Sequence, residues 1–540
     1  MPPPVTAYFC MEFGLHEEFP IYAGGLGVLA GDYLKSAGDL RLPVVGVGLQ
    51  WTKGYHVQRI GPDGMPYEEY PTTVPDFVQD TRARFVIRIG KDEMPCRVLR
   101  MDRYGAAPLY FIDPVKPEHQ WITYRLYDTV PDVRVAQEML LGIGGVRALR
   151  ALGLDVSTYH FNEGHAVFAG IEMIAEKMSN GDSFQEAWDA VRKRIVFTTH
   201  TPVRAGNEEH PLADLRRMGA CCELVDAEMR AIGGDPFSMT VAGLRLSRIA
   251  NAVAQLHGET SRKMWAHVTG AAPIIAITNG VHAPTWQDAR IRRAHPDPEA
   301  LLGVHAQLKE ELIGFVKERA GASLSPKALT IGFARRAAPY KRSDLIFGDP
   351  ARIDPLLRDG RIQILFGGKA HPADRKGKAI IQNLVRFSRL YPNRVVFLEN
   401  YDIGIARRLV RGCDIWLNNP VRPLEASGTS GMKAALNGVL NLSILDGWWP
   451  EGCRHGETGW QIGSGQGAVS EAEMDRLDEA DRTALYDVLE REVLPTYEQD
   501  RPRWGRMMAA SIDMARQFTS DRMVREYFDR MYRTDTPPGA

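Results

Sequence analysis

Glu425-Ala-Ser-Gly-Thr-Ser-Gly-Met-Lys433, followed by Ala434-Ala-Leu-Asn-Gly438, is the stretch around which the rest of the chain is organised. Small residues come first and an apolar pattern follows. Met432, Leu436, Val439 and Leu440 fall at i, i+4, i+7 and i+8, one face of a helix. Gly428 and Gly431 permit close approach and unusual dihedrals, and Ser427, Thr429 and Ser430 are candidate caps. A helix N-terminus with free amides and hydroxyls suits an anion. Lys433 then falls in the first turn of the expected helix, where a cation is electrostatically unfavourable. Two explanations stand: a surface lysine in a glycine-rich turn, or a reactive amine held near a bound anion.

Working outward, short apolar runs alternate with helical patterns. Runs at 5–10, 42–48, 109–112, 158–161, 195–197 and 274–277 read as buried strands of a first half. Runs at 329–333, 362–366, 394–398 and 440–446 read as those of a second, with helices between them, the mark of a parallel sheet. Polar–apolar alternation from 51 to 112 predicts an antiparallel excursion from the first sheet. Residues 246–259 read as one buried helix, 207–238 as mostly helical linker and lid, and 301–322 as a helical domain connection. Residues 471–533 read as helical.

The 540 residues are too many for one ordinary core, so two large domains are expected. With 66 basic and 67 acidic residues, nothing implies a nucleic-acid or acidic-membrane surface. No secretory leader or eighteen-residue apolar run is present. The six cysteines show no CxxC pair or metal-ligand spacing, which reads as reduced thiols in a cytoplasmic protein.

Candidate functional groups cluster where strand runs end, the usual ligand-binding edge of an open α/β sheet. Gly24, Gly25 and Gly27 could turn amides toward a phosphate or form a tight packing loop. Asn162-Glu163-Gly164-His165 and Thr198-Thr-His200 follow two strands. Their histidines have neither the spacing nor the partners of a metal site. Asn279 stands in an Asn-Gly turn. Arg335-Arg336-Ala-Ala-Pro-Tyr340-Lys341-Arg342 suits an anion clamp better than a nucleic-acid patch, since stacking aromatics are lacking. Trp448, Trp449 and Trp460 read as a sugar platform or a packed loop.

EASGTSGMKAALNG resembles the pyridoxal-phosphate site of the α-glucan (glycogen, starch, maltodextrin) phosphorylases, in a short bacterial-type form. Similar motifs run from Phe9 to about Tyr527. The resemblance implies two doubly wound Rossmann-like α/β domains facing a central cleft, the two-domain glycosyltransferase (GT-B) architecture. Its expected parts are a substrate domain at 1–315, a cofactor and phosphate domain at 325–500, and helices at 501–540 crossing back. It implies covalent pyridoxal 5'-phosphate on Lys433, with Arg335, Tyr401, Thr429 and Gly25 also toward the cofactor. Arg336, Lys341, His200 and Glu425 are the other implied catalytic residues. Gly25, Leu26, Glu163, His200, Asn279, Tyr340, Glu425, Ser427, Gly428 and Thr429 are the implied substrate contacts. No metal is implied.

The implied reaction is phosphorolysis of terminal α-1,4-glucosyl bonds, with retention, giving α-glucose 1-phosphate. The cofactor phosphate acts as acid/base. Two departures stand near the cofactor: Arg335 replaces a usual lysine, and Asp402 stands where an arginine is common, so the phosphate would lean on other donors. Glu163 replaces an aspartate. The chain lacks the N-terminal extension and insertions of the large storage enzymes, so regulation by nucleotide or phosphorylation is not expected. Glucan and phosphate are the expected partners, without nucleic acid or membrane; a homo-oligomer is left open. The alternatives are a nucleotide-sugar-dependent glucosyltransferase on the same fold and a non-catalytic glucan-binding protein.

Overall fold

The computed structural model describes residues 4–72, 75–202, 207–467 and 471–533. Part of the C-terminal segment expected at 501–540, residues 534–540, lies outside the described residues. The fold is mixed α/β with two large sheets. In chain order the strands are β1 (Val5–Phe9), β2 (Val44–Leu49), β3 (Val57–Ile60), β4 (Pro66–Glu69), β5 (Gln79–Ile89), β6 (Asp92–Met101) and β7 (Leu109–Pro114). Next come β8 (Val156–Asn162), β9 (Ile195–Thr198), β10 (Glu209–His210), β11 (Phe237–Ser238), β12 (Ile249–Ala252) and β13 (Ile274–Ala276). The last are β14 (Leu329–Ala334), β15 (Ile362–Gly367), β16 (Val395–Leu398), β17 (Ile415–Asn418), β18 (Leu440–Ile444) and β19 (Gly459–Ile462).

Among the described residues, one sheet has nine strands in the order β13-β12-β9-β8-β1-β2-β7-β6-β5. It is parallel from β13 to β7, and β6 and β5 add antiparallel strands at one edge. The other sheet is six-stranded and parallel throughout, β16-β15-β14-β17-β18-β19. Its first strand lies between the second and the fourth, the order of doubly wound sheets, and the chain reverses direction between β14 and β17. The larger sheet reverses likewise between β1 and β8. Strands such as β2, β14 and β15 are buried at every position, which is why they read as continuous apolar runs rather than alternating ones.

Packing divides the chain into two compact units. The first comprises residues up to Tyr55, Tyr70–Thr278, and Ser520 onward; the second comprises His56–Glu69 and Asn279–Thr519. This partition differs from the boundaries expected at 315–325. The helix Pro298–Ala320, expected as a connection, belongs wholly to the second unit, where Leu301, Leu308, Leu312 and Val316 are buried.

The hairpin β3–β4 also departs from expectation. It pairs only with itself and counts with the second unit. Gln58 donates to the Gly368 carbonyl (2.9 Å) and accepts from the Ala370 amide (3.0 Å), and the Ile60 amide donates to Glu399 (2.6 Å). The hairpin thus braces the loops that follow β15 and β16.

Residues 246–259 form no single helix. Met239–Leu246 ends one helix, β12 inserts between β9 and β13, and Gln255–Met264 begins another. The short run Ile249–Ala254 is too small to reveal its period, and pairing on both sides decides for the strand.

The segment from Ser520 packs in the first unit through a buried polar network. The Tyr532 hydroxyl lies 2.7 Å from both the Tyr33 hydroxyl and His160 Nδ1, and Ser36 Oγ lies 2.6 Å from Ser520 Oγ. Burial holds His160 neutral, with its pKa lowered to about 3. All six cysteines are free. Among the described residues no helix is long and apolar enough to cross a membrane, and no His/Cys/Asp/Glu cluster could hold a metal ion.

Candidate active site

In the second unit, β14 delivers Arg335 and Lys341, and the loop after β17 delivers Glu425, at the point where strand order reverses. The Glu425 carboxylate accepts hydrogen bonds from both Arg335 and Lys341. Burial alone would raise its pKa, but the Arg335 charge, then that of Lys341, hold it down at about 2. Arg335 spends only one nitrogen this way. Its Nε and Nη1 are buried without an acceptor, as is Ser427 Oγ. Unsatisfied buried guanidinium N–H groups are costly and call for an anion. Lys341 lies over the Tyr340 ring at 4.5 Å, and the Tyr340 carbonyl accepts the Val421 amide (2.8 Å). Tyr401 is close enough for the Arg335 charge to act on its hydroxyl, whose pKa is nevertheless raised, by burial first and then by Asp402.

Other expected members sit differently. Arg336 is exposed. Arg342 is no part of the clamp: it donates to the Asn419 (2.8 Å) and Pro420 (2.9 Å) carbonyls and pairs with Asp478 and Asp481, both at 2.7 Å. It braces the loop leading to Glu425. Asp402 caps the helix Ile403–Gly412 by accepting the Ile405 amide at 2.7 Å, a role open to aspartate and closed to arginine. Trp448, Trp449 and Trp460 are buried, so they are packed interior side chains and not a sugar platform. Asn279 is buried at the start of the second unit.

The Lys433 segment corrects the expected electrostatics. Gly428, at φ +83°, precedes a helix running only from Thr429 to Ala435, and no side chain caps it. Ser430 instead accepts the Trp416 indole N–H (3.1 Å). Lys433 therefore lies in the last turn, where a cation is favoured. Leu440 opens β18 rather than continuing the helix. Gly431 is required because a Cβ there would lie 2.6 Å from Asn441 Oδ1. Lys433 is buried, its Nζ 3.7 Å from the centre of the Trp286 ring.

In the first unit, Gly25 and Leu26 open the helix Gly25–Asp39, which has no side-chain cap. Glu163 follows β8 at φ +77° and ties two strand ends together. It accepts the His200 amide (2.8 Å) and the Thr201 hydroxyl (3.2 Å). Burial raises its pKa to about 7 despite these bonds. His200 Nε2 lies 2.5 Å from Asn162 Oδ1, and burial lowers the imidazole pKa to about 3. A neutral ring donating from Nε2 leaves Nδ1 as an acceptor.

Sequence reasoning missed Asp446 beyond its place at the end of a strand. Asp446 accepts the amides of Glu425 (2.9 Å) and Gly447 (2.8 Å). Burial, reinforced by the Glu425 charge, raises its pKa to about 7. An unfolded aspartate loses its proton near pH 4, so between about pH 4 and 7 the folded state binds more protons and stability falls as pH rises. Asp446→Asn should therefore remove a slope of up to about 1.4 kcal/mol per pH unit in that window. Denaturation midpoints of wild type and variant across pH 4–7 test this; parallel curves would refute it.

Comparison with known proteins bears on this geometry. The carbohydrate phosphorylase family model matches residues 294–451. A maltodextrin phosphorylase of Thermococcus litoralis is 40% identical, covering 97% of this chain and 70% of that one. The chain belongs to the carbohydrate phosphorylase family. A glycogen phosphorylase of Aquifex aeolicus shares 37% identity over 96% of this chain and 85% of its own. An uncharacterized protein of Methanocaldococcus jannaschii is 34% identical over 98% and 99% of the two chains. The phosphorylase match spans β14 to β18, and so covers Arg335, Lys341, Glu425 and Lys433.

Proposed function

We propose that this chain reversibly phosphorolyses the terminal α-1,4-glucosidic bond of α-glucans, giving α-glucose 1-phosphate with retention, in the two-domain glycosyltransferase architecture of its family. The observation that carries the reading is the Arg335–Glu425–Lys341 cluster at the strand-order reversal of a phosphorylase-family chain. Arg335 there keeps two buried nitrogens for an anion.

Pyridoxal phosphate, the cofactor that family membership supports, fits the residues present. Lys433 supplies a buried primary amine to hold it covalently, and Arg335 Nε and Nη1 suit its phosphate, with Tyr401 and Thr429 alongside. When bound, the cofactor supplies a phosphate that exchanges protons with the substrate phosphate. Arg335 keeps the positive charge of the lysine it replaces and adds further N–H donors, while Asp402 brings none of the charge of the usual arginine.

In the reaction, Lys341 and Arg336 hold inorganic phosphate. The bond between the anomeric carbon and the glycosidic oxygen breaks, and that oxygen leaves with a proton from the phosphate. A phosphate oxygen then bonds to the same carbon on the same face. Fixed cations stabilise the charge shifts without reorganising. His200, neutral throughout, hydrogen-bonds a glucosyl hydroxyl, and Glu163 keeps it in place. Asn279, Ser427, Gly428 and the Gly25–Leu26 turn complete the sugar and phosphate contacts.

Purified protein incubated with maltooligosaccharide and phosphate should release glucose 1-phosphate and give no transfer from nucleotide-glucose donors. Transfer from nucleotide donors alone would establish the nucleotide-sugar reading instead. Glucan binding without phosphate-dependent cleavage at any pH or chain length would establish a non-catalytic one.

A further inference from the structure

We propose that Glu12 is the positioning residue that sets the glycine loop for phosphate; this rests on the phosphorolysis reading above. Glu12 follows β1, where the strand order of the larger sheet reverses, and is 3% exposed. One oxygen of its carboxylate accepts the amides of Ala23 (2.6 Å) and Gly24 (3.1 Å), and the other accepts the Tyr127 hydroxyl (2.7 Å). Gly27 makes room for it: a Cβ there would lie 2.6 Å from Oε2 and 2.9 Å from Cγ. Tyr127 is itself fixed, its ring 4.8 Å from the Arg134 guanidinium and 5.6 Å from the His165 ring.

The carboxylate therefore draws two successive amides inward and fixes the chain just before the helix Gly25–Asp39. The other side of the loop is open, since a Cβ on Gly24 or Gly25 would meet no atom within 4 Å. Glu12 acts through the loop, its carboxylate oxygens being engaged by the Ala23 and Gly24 amides and the Tyr127 hydroxyl. It decides where the outward amides of the loop stand, and a small misplacement of a binding group is costly to a positioned reaction.

Glu12→Ala should raise the KM for phosphate about tenfold, the effect of losing charge-assisted hydrogen bonds to two amides, and leave the KM for maltooligosaccharide within about threefold. Glu12→Gln keeps an oxygen for both amides and an N–H for Tyr127, so it should recover most of the loss. Gly27→Ala, which crowds the same carboxylate, should reproduce the Glu12→Ala effect if that variant folds poorly. A readout without turnover is the rise in melting temperature caused by inorganic phosphate, which should shrink in Glu12→Ala and return in Glu12→Gln. Equal phosphate protection of wild type and Glu12→Ala, or parallel rises in both KM values, would overturn the role of Glu12. A wild type protected by phosphate but releasing no glucose 1-phosphate would defeat the phosphorolysis reading and leave the role of Glu12 supported or refuted by the protection series alone.

Discussion

Lys433→Ala is expected to abolish covalent pyridoxal and to lower phosphorolysis at least about a thousandfold, which corresponds to about 4 kcal/mol of activation free energy. The variant should still fold. Lys433 occupies the last turn of a helix, where alanine is the best helix former, and the cation–π contact it gives up with the Trp286 ring is worth about 0.5–2 kcal/mol. Borohydride reduction followed by peptide mass mapping should place the reduced adduct on Lys433 in wild type and on no residue in the variant. Full activity in wild-type protein carrying no pyridoxal would sink both the cofactor assignment and the role of this lysine.

Lys309→Met should be the most destabilising single substitution considered. Lys309 Nζ donates to Asp414 Oδ2 (2.5 Å), the Ala328 carbonyl (2.6 Å) and the Tyr497 hydroxyl (2.8 Å). Asp414 also accepts the Thr330 amide (2.7 Å) and lies 3.0 Å from His305 Nε2. Burial disfavours the Asp414 anion, yet Lys309 and His305 hold its pKa well below the usual carboxylate range. Methionine keeps the stem but strands a buried charge, at a cost of about 3–5 kcal/mol. The denaturation midpoint of the second unit should fall accordingly. In a double-mutant cycle, Lys309→Met with Asp414→Asn should recover much of the loss. A Lys309→Met midpoint matching wild type would show that the pair contributes nothing net.

How much of this was legible beforehand follows from the range of the interactions. The sequence by itself determined many of the strands, because a strand buried on both faces is a near-continuous apolar run, as β2 and β15 are. It determined the family too, since a long motif such as EASGTSGMK constrains many adjacent positions at once. It also located the Arg335–Lys341 segment, Glu163 and His200 at strand ends, because parallel sheets present their loops at one edge, and it picked out Glu425 by motif.

Only the tertiary structure decided where the charges go. Arg335, Arg336, Lys341 and Arg342 are equivalent as letters. Folded, Arg335 and Lys341 meet Glu425, Arg336 is exposed, and Arg342 is consumed by Asp478, Asp481 and two carbonyls. The same holds for the Thr429–Ala435 helix, whose early end moves Lys433 from an unfavourable turn to a favourable one. It holds for Asp402, whose departure from the family pattern is answered by a helix cap, and for β3–β4, which look like part of the first sheet until the Gln58 side chain finds Gly368 and Ala370 and the Ile60 amide finds Glu399. Glu12 and Asp446 went unnoticed for one reason: a lone carboxylate has no pattern in sequence, and its role is set by amides that only folding brings to it.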